Sequence, residues 1–177
     1  MNIVSVYGIS RFAEEKDIPE IMEIINPYRA NTLYSLSQQK HTYDYIKSIL
    51  PVMKENGYPY LVHEIEGEIA GVVTGAPFRL DIDPKFINGP IEDMLEMSIA
   101  VKPSRYNSGT APALSKALDE WSVINNIHSL WGGVIGDNRV MKLSLSMAGY
   151  KYITKIENFG KKFGKYHDMK LYQKIIS

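Results

Sequence analysis

Two kinds of apolar periodicity alternate along the chain, and their order limits the fold more than any other feature. Apolar residues recur at every second position in some stretches, as in β-strands, and at every third or fourth position in others, as in α-helices. The order is strand, two helices, three strands, helix, strand, helix, two strands. We therefore predict an α/β (α+β) domain with one twisted, mostly antiparallel sheet of about seven strands, flanked by about four helices.

The limits of the elements follow from the same patterns. A first strand is predicted over 2–12, and a helix begins after Asp17 and ends near Pro27. A short-turn hairpin is expected at Gly67, and a C-terminal hairpin with Gly160 and Gly164 in its turn. The other predicted elements are a helix from about 43 to before Gly57, strands at 60–66, 68–76, 91–101 and 130–135, helices at 111–124 and 138–147, and hairpin strands at 150–159 and 166–176.

Composition argues against several classes of partner. A length of 177 residues suits one domain over 1–177, and 20 basic against 20 acidic residues leave no cationic field for nucleic acid. The chain has no cysteine and its four histidines are scattered, so no metal site is expected. No run of about 18 apolar residues occurs, so we expect no membrane contact and a cytoplasmic location.

The strand at 91–101 and the turn that follows it carry the chemistry. Alternation places Glu96, Ser98 and Ala100 on one face of this strand. The turn, KPSRYNSGTA at 102–111, leads directly into a helix, and unpaired N–H groups at a helix N-terminus can bind a phosphate. Since every strand-to-helix connection needs a turn, this segment alone also fits a purely structural role.

Five segments together resemble one known family. They are GAPFR at 75–79, EMSIAV at 96–101, the turn at 102–111, GDN at 136–138 with GY at 149–150, and GKKFGK at 160–165 followed by Asp168. In this order and at this spacing, over nearly the whole chain, they resemble the GCN5-related N-acetyltransferases (GNAT), and specifically the phosphinothricin and methionine-sulfoximine branch.

The resemblance implies acetyl-coenzyme A as co-substrate. Its pyrophosphate is expected on the turn formed by Tyr106, Asn107, Ser108, Gly109, Thr110 and Ala111. Its pantetheine arm is expected along Ile99, Ala100 and Val101, with a main-chain N–H near Ile99 or Ala100 facing the thioester oxygen. Asn138 matches an asparagine that binds the arm, and it also suits a helix N-cap; both roles are compatible. Tyr106 departs from the family's Arg or Gln, with Arg105 displaced by one residue.

For catalysis, the resemblance implies that Glu96 is the general base, because only an unprotonated amine can attack a thioester. The alternative for Glu96 is a strand glutamate paired with a lysine. Leu145 lies where the family commonly has His or Tyr, and leucine cannot donate a proton. The thiol of coenzyme A leaves readily, with a pKa of roughly 8 to 9, so the proton is expected from water, from Ser144 or Ser146, or from no side chain.

For the acceptor, the resemblance implies a small-molecule amine with a carboxylate near Phe78 and Arg79. Arg79 could instead be an exposed loop arginine. The loop carrying Thr32 and Ser35 caps the acceptor pocket in relatives. The segment around Lys162 and Phe163 forms a pocket wall and a dimer contact in the family, or else a solvated strand pair, and a homodimer is expected from resemblance alone.

Two alternatives to acetylation of a free amino acid remain open at this stage. One is acetylation of a different amine, such as a polyamine, an aminoglycoside or a protein N-terminus. The other is a non-catalytic acetyl-coenzyme A sensor, which the departures at Tyr106 and Leu145 suggest. Retention of Glu96 favours an enzyme.

Overall fold

The computed structural model describes residues 2–5, 8–77 and 93–176, and these form one mixed sheet flanked by helices. In this part of the chain there are eight strands and four α-helices. Their limits are β1 Asn2–Ser5, β2 Gly8–Phe12, α1 Ile18–Asn31, α2 Tyr43–Glu55, β3 Tyr60–Ile65, β4 Glu68–Pro77, β5 Met94–Val101, α3 Thr110–Ile124, β6 Ser129–Ile135, α4 Arg139–Met147, β7 Lys151–Lys162 and β8 Lys165–Ile175.

The strands are ordered β1-β2-β3-β4-β5-β6-β8-β7 across the sheet. All neighbours are antiparallel except β5 and β6, which run parallel because α3 connects them across one face. The predicted fold class, a mixed and mostly antiparallel sheet with about four helices, is confirmed. None of the described helices is long and apolar enough to cross a membrane.

Two cores lie on opposite faces of the sheet. On one face α3 and α4 pack on Leu95, Met97 and the inner residues of β6 and β8. On the other, α1 and α2 pack on β3, β4 and Ala100 of β5. The alternation predicted along β5 is therefore present, since Leu95 and Met97 lie in one core and Ala100 in the other.

Two predicted elements at the ends of the chain were wrong in detail. The segment 2–12 is a hairpin of two strands, β1 and β2, in which Ile3 pairs with Ser10. An antiparallel hairpin keeps the same alternation on both arms, so periodicity alone reads it as one strand. The C-terminal hairpin turns at Phe163 and Gly164, both with positive φ (51° and 76°), while Gly160 lies within β7.

Helix α1 continues past its predicted end near Pro27 to Asn31. The last turn is closed by a hydrogen bond from Thr32 N–H to the Tyr28 carbonyl, 3.1 Å. A contact from the far end of the chain, described below, binds the carbonyls at this end of the helix. A tertiary interaction thus overrides the local signal of the proline.

Candidate functional site

The central feature of the site is the divergence of β5 from β6. Their pairing ends at Glu96, opposite Trp131, whereas β4 stays paired with β5 through Val101. Beyond Glu96 the edge of β5 that faces β6 therefore has no partner strand in residues 2–5, 8–77 and 93–176. A cleft opens between two parallel strands, and main-chain groups line one wall of it.

Two hydrogen bonds show which residues of β5 face this cleft. Asp93 C=O accepts from His128 N–H on the β6 side, and Lys102 N–H donates to Ala70 C=O on the β4 side, both at 2.8 Å. Because these directions alternate along a strand, odd-numbered residues present their amide groups to the cleft. Of the three predicted arm-binding residues, Ile99 and Val101 face the cleft, and Ala100 is paired with β4 through Val72.

The turn after β5 forms a compact cradle at the start of α3. Asn107 and Gly109 both have positive φ, 61° and 81°, and Gly109 is the N-cap of α3. The Ser108 hydroxyl lies 2.6 Å from the Arg105 carbonyl and 2.7 Å from the Thr110 hydroxyl, so it fixes the shape of the turn. The N–H groups of Thr110 and Ala111, which begin α3, have no partner within the helix and lie at its positive end.

A glycine on β4 allows α3 to begin this close to the sheet. A Cβ on Gly71 would lie 2.7 Å from Thr110 Cγ2 and 2.9 Å from the Ala100 carbonyl oxygen. Thr110 itself is buried. The position of the cradle relative to β5 thus depends on the missing side chain at Gly71.

The side chains before the cradle have other partners. Arg105 binds Glu68 at 3.1 Å and approaches Glu66 at 3.7 Å, both at the β3–β4 turn. Tyr106 hydrogen-bonds through its hydroxyl to the hydroxyl of Tyr28, which also donates to the Val101 carbonyl at 2.5 Å. Arg105, the displaced cation, is therefore bound by carboxylates. A hollow of about 710 Å³ lies between Glu66 and the cradle.

Glu96 lies at the point where β5 and β6 separate. Its side chain is exposed, and in the described part of the chain it makes no hydrogen bond or ion pair. The surrounding protein still removes enough water to raise the pKa of its carboxyl group above the usual value. The predicted alternative, pairing with a lysine, is absent from the described residues, and a lysine partner would lower the pKa of Glu96 instead of raising it.

The wall beside Glu96 is formed by β6 and β8. A Cβ on Gly133 would lie 4.0 Å from Glu96 Oε1 and 3.2 Å from Met169 Sδ. Met169 pairs with Ile135 next to the diverging end of β6. A glycine and a thioether, neither of them charged, thus lie next to the carboxylate on this side.

A hydroxyl pair lies on the same face of β5 as Glu96. Ser98, two residues further along the strand, hydrogen-bonds through its hydroxyl to Tyr34, from the α1–α2 loop (residues 32–42). Burial raises the pKa of Tyr34, so its hydroxyl stays protonated. Leu145, by contrast, is fully buried against Gly132 and Met97 in the other core and faces no part of the cleft.

Asn138 is the N-cap of α4, as predicted for its structural role. Its Oδ1 accepts from Met141 N–H at 3.0 Å, and its side chain is exposed. It lines a hollow of about 440 Å³ between the α1–α2 loop and the start of α4, together with Leu33 and Ile135. The amide nitrogen of Asn138 has no partner in the described ranges and remains a free donor.

A comparison with known families identifies the family of the chain. A family model described as an acetyltransferase (GNAT) domain matches residues 11–171. The chain belongs to the GNAT acetyltransferase family. Its predicted family, fold and enzyme class are thereby confirmed.

Individual relatives of this GNAT protein are distant but cover its length. The phosphinothricin N-acetyltransferase of Streptomyces coelicolor is 22% identical over 164 residues, 90% of this chain and 91% of that protein. The ribosomal-protein-alanine N-acetyltransferase of Brucella melitensis is 26% identical with a TM-score of 0.85, covering 94% and 98%. A phosphinothricin acetyltransferase of Sinorhizobium meliloti, crystallised with acetyl-coenzyme A, is 19% identical with a TM-score of 0.85, covering 96% and 89%.

The contacts of Lys162 in this GNAT domain were not predicted from the sequence. Lys162 is 3% exposed, and its ammonium group donates to the carbonyls of Arg29, Thr32 and Ser35 at 2.6, 2.7 and 2.5 Å. The alternative interpretation, a solvated lysine-rich strand pair, therefore does not hold at this position. Thr32 and Ser35, expected near the acceptor, contribute these main-chain carbonyls.

The contacts of Tyr28 and Tyr34 with β5 were not predicted either. The only signal in the sequence is that Tyr28 precedes the α1–α2 loop and Tyr34 lies within it. Phe78 and Arg79, predicted to bind the acceptor, lie outside the described residues. Among residues 2–5, 8–77 and 93–176, no group of His, Asp or Glu side chains could hold a metal ion.

Proposed function

We propose that this GNAT protein transfers acetyl from acetyl-coenzyme A to the primary amine of a small, amino-acid-like molecule, with Glu96 as general base. The observation that carries the proposal is the position of Glu96. Its unpaired carboxylate lies on the strand whose free edge begins directly after it. Base and donor are then held by one strand.

The donor is held chiefly by main-chain groups. The cradle formed by Tyr106, Asn107, Ser108, Gly109, Thr110 and Ala111 binds the pyrophosphate through the N–H groups that begin α3. The arm lies along Ile99 and Val101, and Asn138 binds it through its free amide nitrogen. Ile99 N–H, which faces the cleft, is the donor that stabilises negative charge on the thioester oxygen.

The reaction is a direct attack without an acyl-enzyme, since the chain has no cysteine to form one. Glu96 accepts a proton from the ammonium form of the acceptor, directly or through a water, and a raised pKa makes it a better base. The amine nitrogen then bonds to the acetyl carbon. The C–S bond breaks, and the nitrogen loses its second proton to water. The thiolate leaves and takes a proton from water, because Leu145 offers none.

Two observations support an amino-acid-like acceptor. Two relatives are phosphinothricin acetyltransferases by name. Gly133 and Met169, which lie next to Glu96, carry no charge. Arg79, with Phe78, is proposed to bind the carboxylate of the acceptor. As parts of the same proposal, the chain acts as one domain over 1–177 and as a homodimer in the cytoplasm.

A protein N-terminus is the second candidate acceptor. The relative from Brucella melitensis, named a ribosomal-protein-alanine N-acetyltransferase, favours it. An N-terminal α-amine has the same reactive group but lacks a free carboxylate. The two candidates therefore separate on whether a carboxylate on the amine-bearing residue is needed.

The test is release of free thiol from acetyl-coenzyme A across a panel of amines. The panel contains free amino acids, phosphinothricin, methionine sulfoximine, polyamines and alanine-initiated peptides. We expect release with an α-amino acid, and Glu96→Gln should lower kcat by about 10²–10⁴-fold. Glu23→Gln, an exposed glutamate of α1, is the matched control and should leave kcat unchanged.

Three results would contradict the proposal in different ways. Release only with peptides would identify the second candidate, and release only with polycations would exclude both. Tight binding of acetyl-coenzyme A, with no release on any amine and no effect of Glu96→Gln, would make the protein a sensor.

A further inference from the structure

Lys162 is buried, which is unusual for a lysine next to a hairpin turn. It ends β7, yet its side chain reaches across to the C-terminal end of α1, more than 125 residues away in sequence, and is almost completely buried. Three short hydrogen bonds to the carbonyls of Arg29, Thr32 and Ser35 account for all three N–H groups of its ammonium. No donor is left over for a ligand.

Two of the three carbonyls, those of Arg29 and Thr32, lie at the end of α1, and the carbonyl of Ser35 lies in the α1–α2 loop. The last carbonyls of a helix have no partner within the helix and carry its partial negative charge. Burial and the nearby Arg29 lower the pKa of Lys162, but three accepting oxygens require the protonated form. A buried ammonium is tolerated when it is fully hydrogen-bonded, as it is at this point of the fold.

Three further contacts fix the position of the α1–α2 loop. Leu33 fits against Gly136 and Leu36 against Gly160, where a Cβ would come within 2.6 and 2.2 Å of the leucine side chains. Tyr34 reaches Ser98 on β5. The loop therefore lies between the hairpin of Lys162 and the strand of Glu96.

We propose that Lys162 is a positioning residue for the acceptor: it fixes the α1–α2 loop so that Tyr34 covers β5 beside Glu96. This inference rests on the proposed function, because it assumes that the acceptor binds at Glu96. It assigns Lys162 no contact with substrate. The carboxylate of an acceptor must accordingly be bound by another cation.

The test substitutes Lys162→Met, which keeps the length of the side chain and removes the three donors. We expect the KM for the acceptor to rise about tenfold or more, while the KM for acetyl-coenzyme A changes less than about twofold, because the donor side uses other residues. Amide hydrogen exchange in residues 32–42 should become faster. Lys161→Met, the exposed neighbour, is the control and should change neither.

A second variant keeps the test decisive if Lys162→Met does not fold. Lys162→Arg retains the charge, but a planar guanidinium cannot direct three N–H groups at three converging carbonyls. It should show the same pattern at smaller amplitude. A merely structural lysine would instead lower the melting temperature and leave the ratio of the two KM values unchanged.

The outcomes separate this inference from the proposed function. Unchanged exchange in residues 32–42 would overturn the positioning role, and so would faster exchange with an unchanged KM for the acceptor. If the unmodified protein acetylates no amine, the proposed function fails and the acceptor role of Lys162 fails with it. The exchange experiment needs no turnover and still shows whether Lys162 fixes the loop.

Discussion

The proposed donor side of β5 presents main-chain groups, whereas the proposed acceptor side presents side chains. On the donor side, the free edge of β5 and the cradle come from one continuous segment, 97–111, and present main-chain N–H groups. On the acceptor side, Glu96, Tyr34 and Lys162 come from three distant segments and act through side chains. The first surface is local in sequence and the second is assembled by the fold.

This difference teaches where substitution is tolerated. Main-chain donors stay in place when a side chain changes, so the departure at Tyr106 leaves the cradle intact. A side-chain contact has no such protection. Relatives with the same donor can therefore differ in acceptor, consistent with the different names of the proteins that this chain resembles.

The largest expected effect is the dependence of kcat on pH. Because burial raises the pKa of Glu96, its basic form should be lost at a higher pH than for an ordinary carboxylate. Below that pKa, kcat should fall about tenfold per pH unit. In Glu96→Gln the acid limb should be absent, and a pH–rate profile of both proteins measures it.

The same shift predicts the sign of a stability change. The pKa of Glu96 is higher in the folded than in the unfolded protein. At a pH between these two values the folded protein binds more protons than the unfolded one, so the free energy of unfolding falls as pH rises through this range. Glu96→Gln should therefore melt no lower than the unmodified protein at pH 7. A clear loss of melting temperature in this variant would instead make Glu96 a structural residue.

A matched pair of glycine substitutions should separate the two sides. Gly71→Ala puts a Cβ against Thr110 and the Ala100 carbonyl, so it should displace α3 and weaken acetyl-coenzyme A binding about tenfold, at a cost of about 1–3 kcal/mol in unfolding free energy. Gly133→Ala puts a Cβ against the flexible end of Met169. It should raise the acceptor KM only about threefold, because Met169 can move.

Steady-state kinetics with each substrate varied in turn measures both constants for both variants. Equal effects of Gly71→Ala on the two KM values would mean that the sides are not separate. If Gly133→Ala changed only the KM for acetyl-coenzyme A, the region beside Glu96 would belong to the donor side and not to the acceptor side.

The smallest expected effect is that of Tyr106→Phe. The substitution removes the hydroxyl that bonds Tyr28 but keeps the main chain of the cradle. Binding of acetyl-coenzyme A, measured by calorimetry, should weaken less than about threefold, in line with the loss of one exposed hydrogen bond. A loss of a hundredfold would show that the side chain, and not the main chain, carries donor binding.

The sequence predicted most of the fold, including the strand, turn and helix that are proposed to bind the donor, because these elements follow from local patterns. Alternation along 94–101 gives the two faces of β5, and a turn with Gly109 before a helix gives the cradle. The hairpin at 2–12 was missed because both of its arms share one period. The C-terminal hairpin turn was predicted too long, from Gly160 to Gly164, because phenylalanine seldom adopts the positive φ that Phe163 has in the tighter turn.

The acceptor side could not be predicted in the same way. Nothing near Lys162 in sequence indicates that its partners lie at Arg29, Thr32 and Ser35. Tyr34 and Ser98 are likewise 64 residues apart. Such contacts depend on how the hairpin, the loop and β5 pack in three dimensions. No periodic pattern in a single sequence indicates them.

Helix α1 connects the two sides within one helical turn. Tyr28 binds the Val101 carbonyl and Tyr106 on the donor side, while the next residue, Arg29, offers its carbonyl to Lys162 on the acceptor side. Any coupling free energy passing through this turn is reciprocal. If bound donor changes the affinity for the amine by some factor, bound amine must change the affinity for the donor by the same factor. Titration of either ligand therefore measures the thermodynamic cooperativity between them.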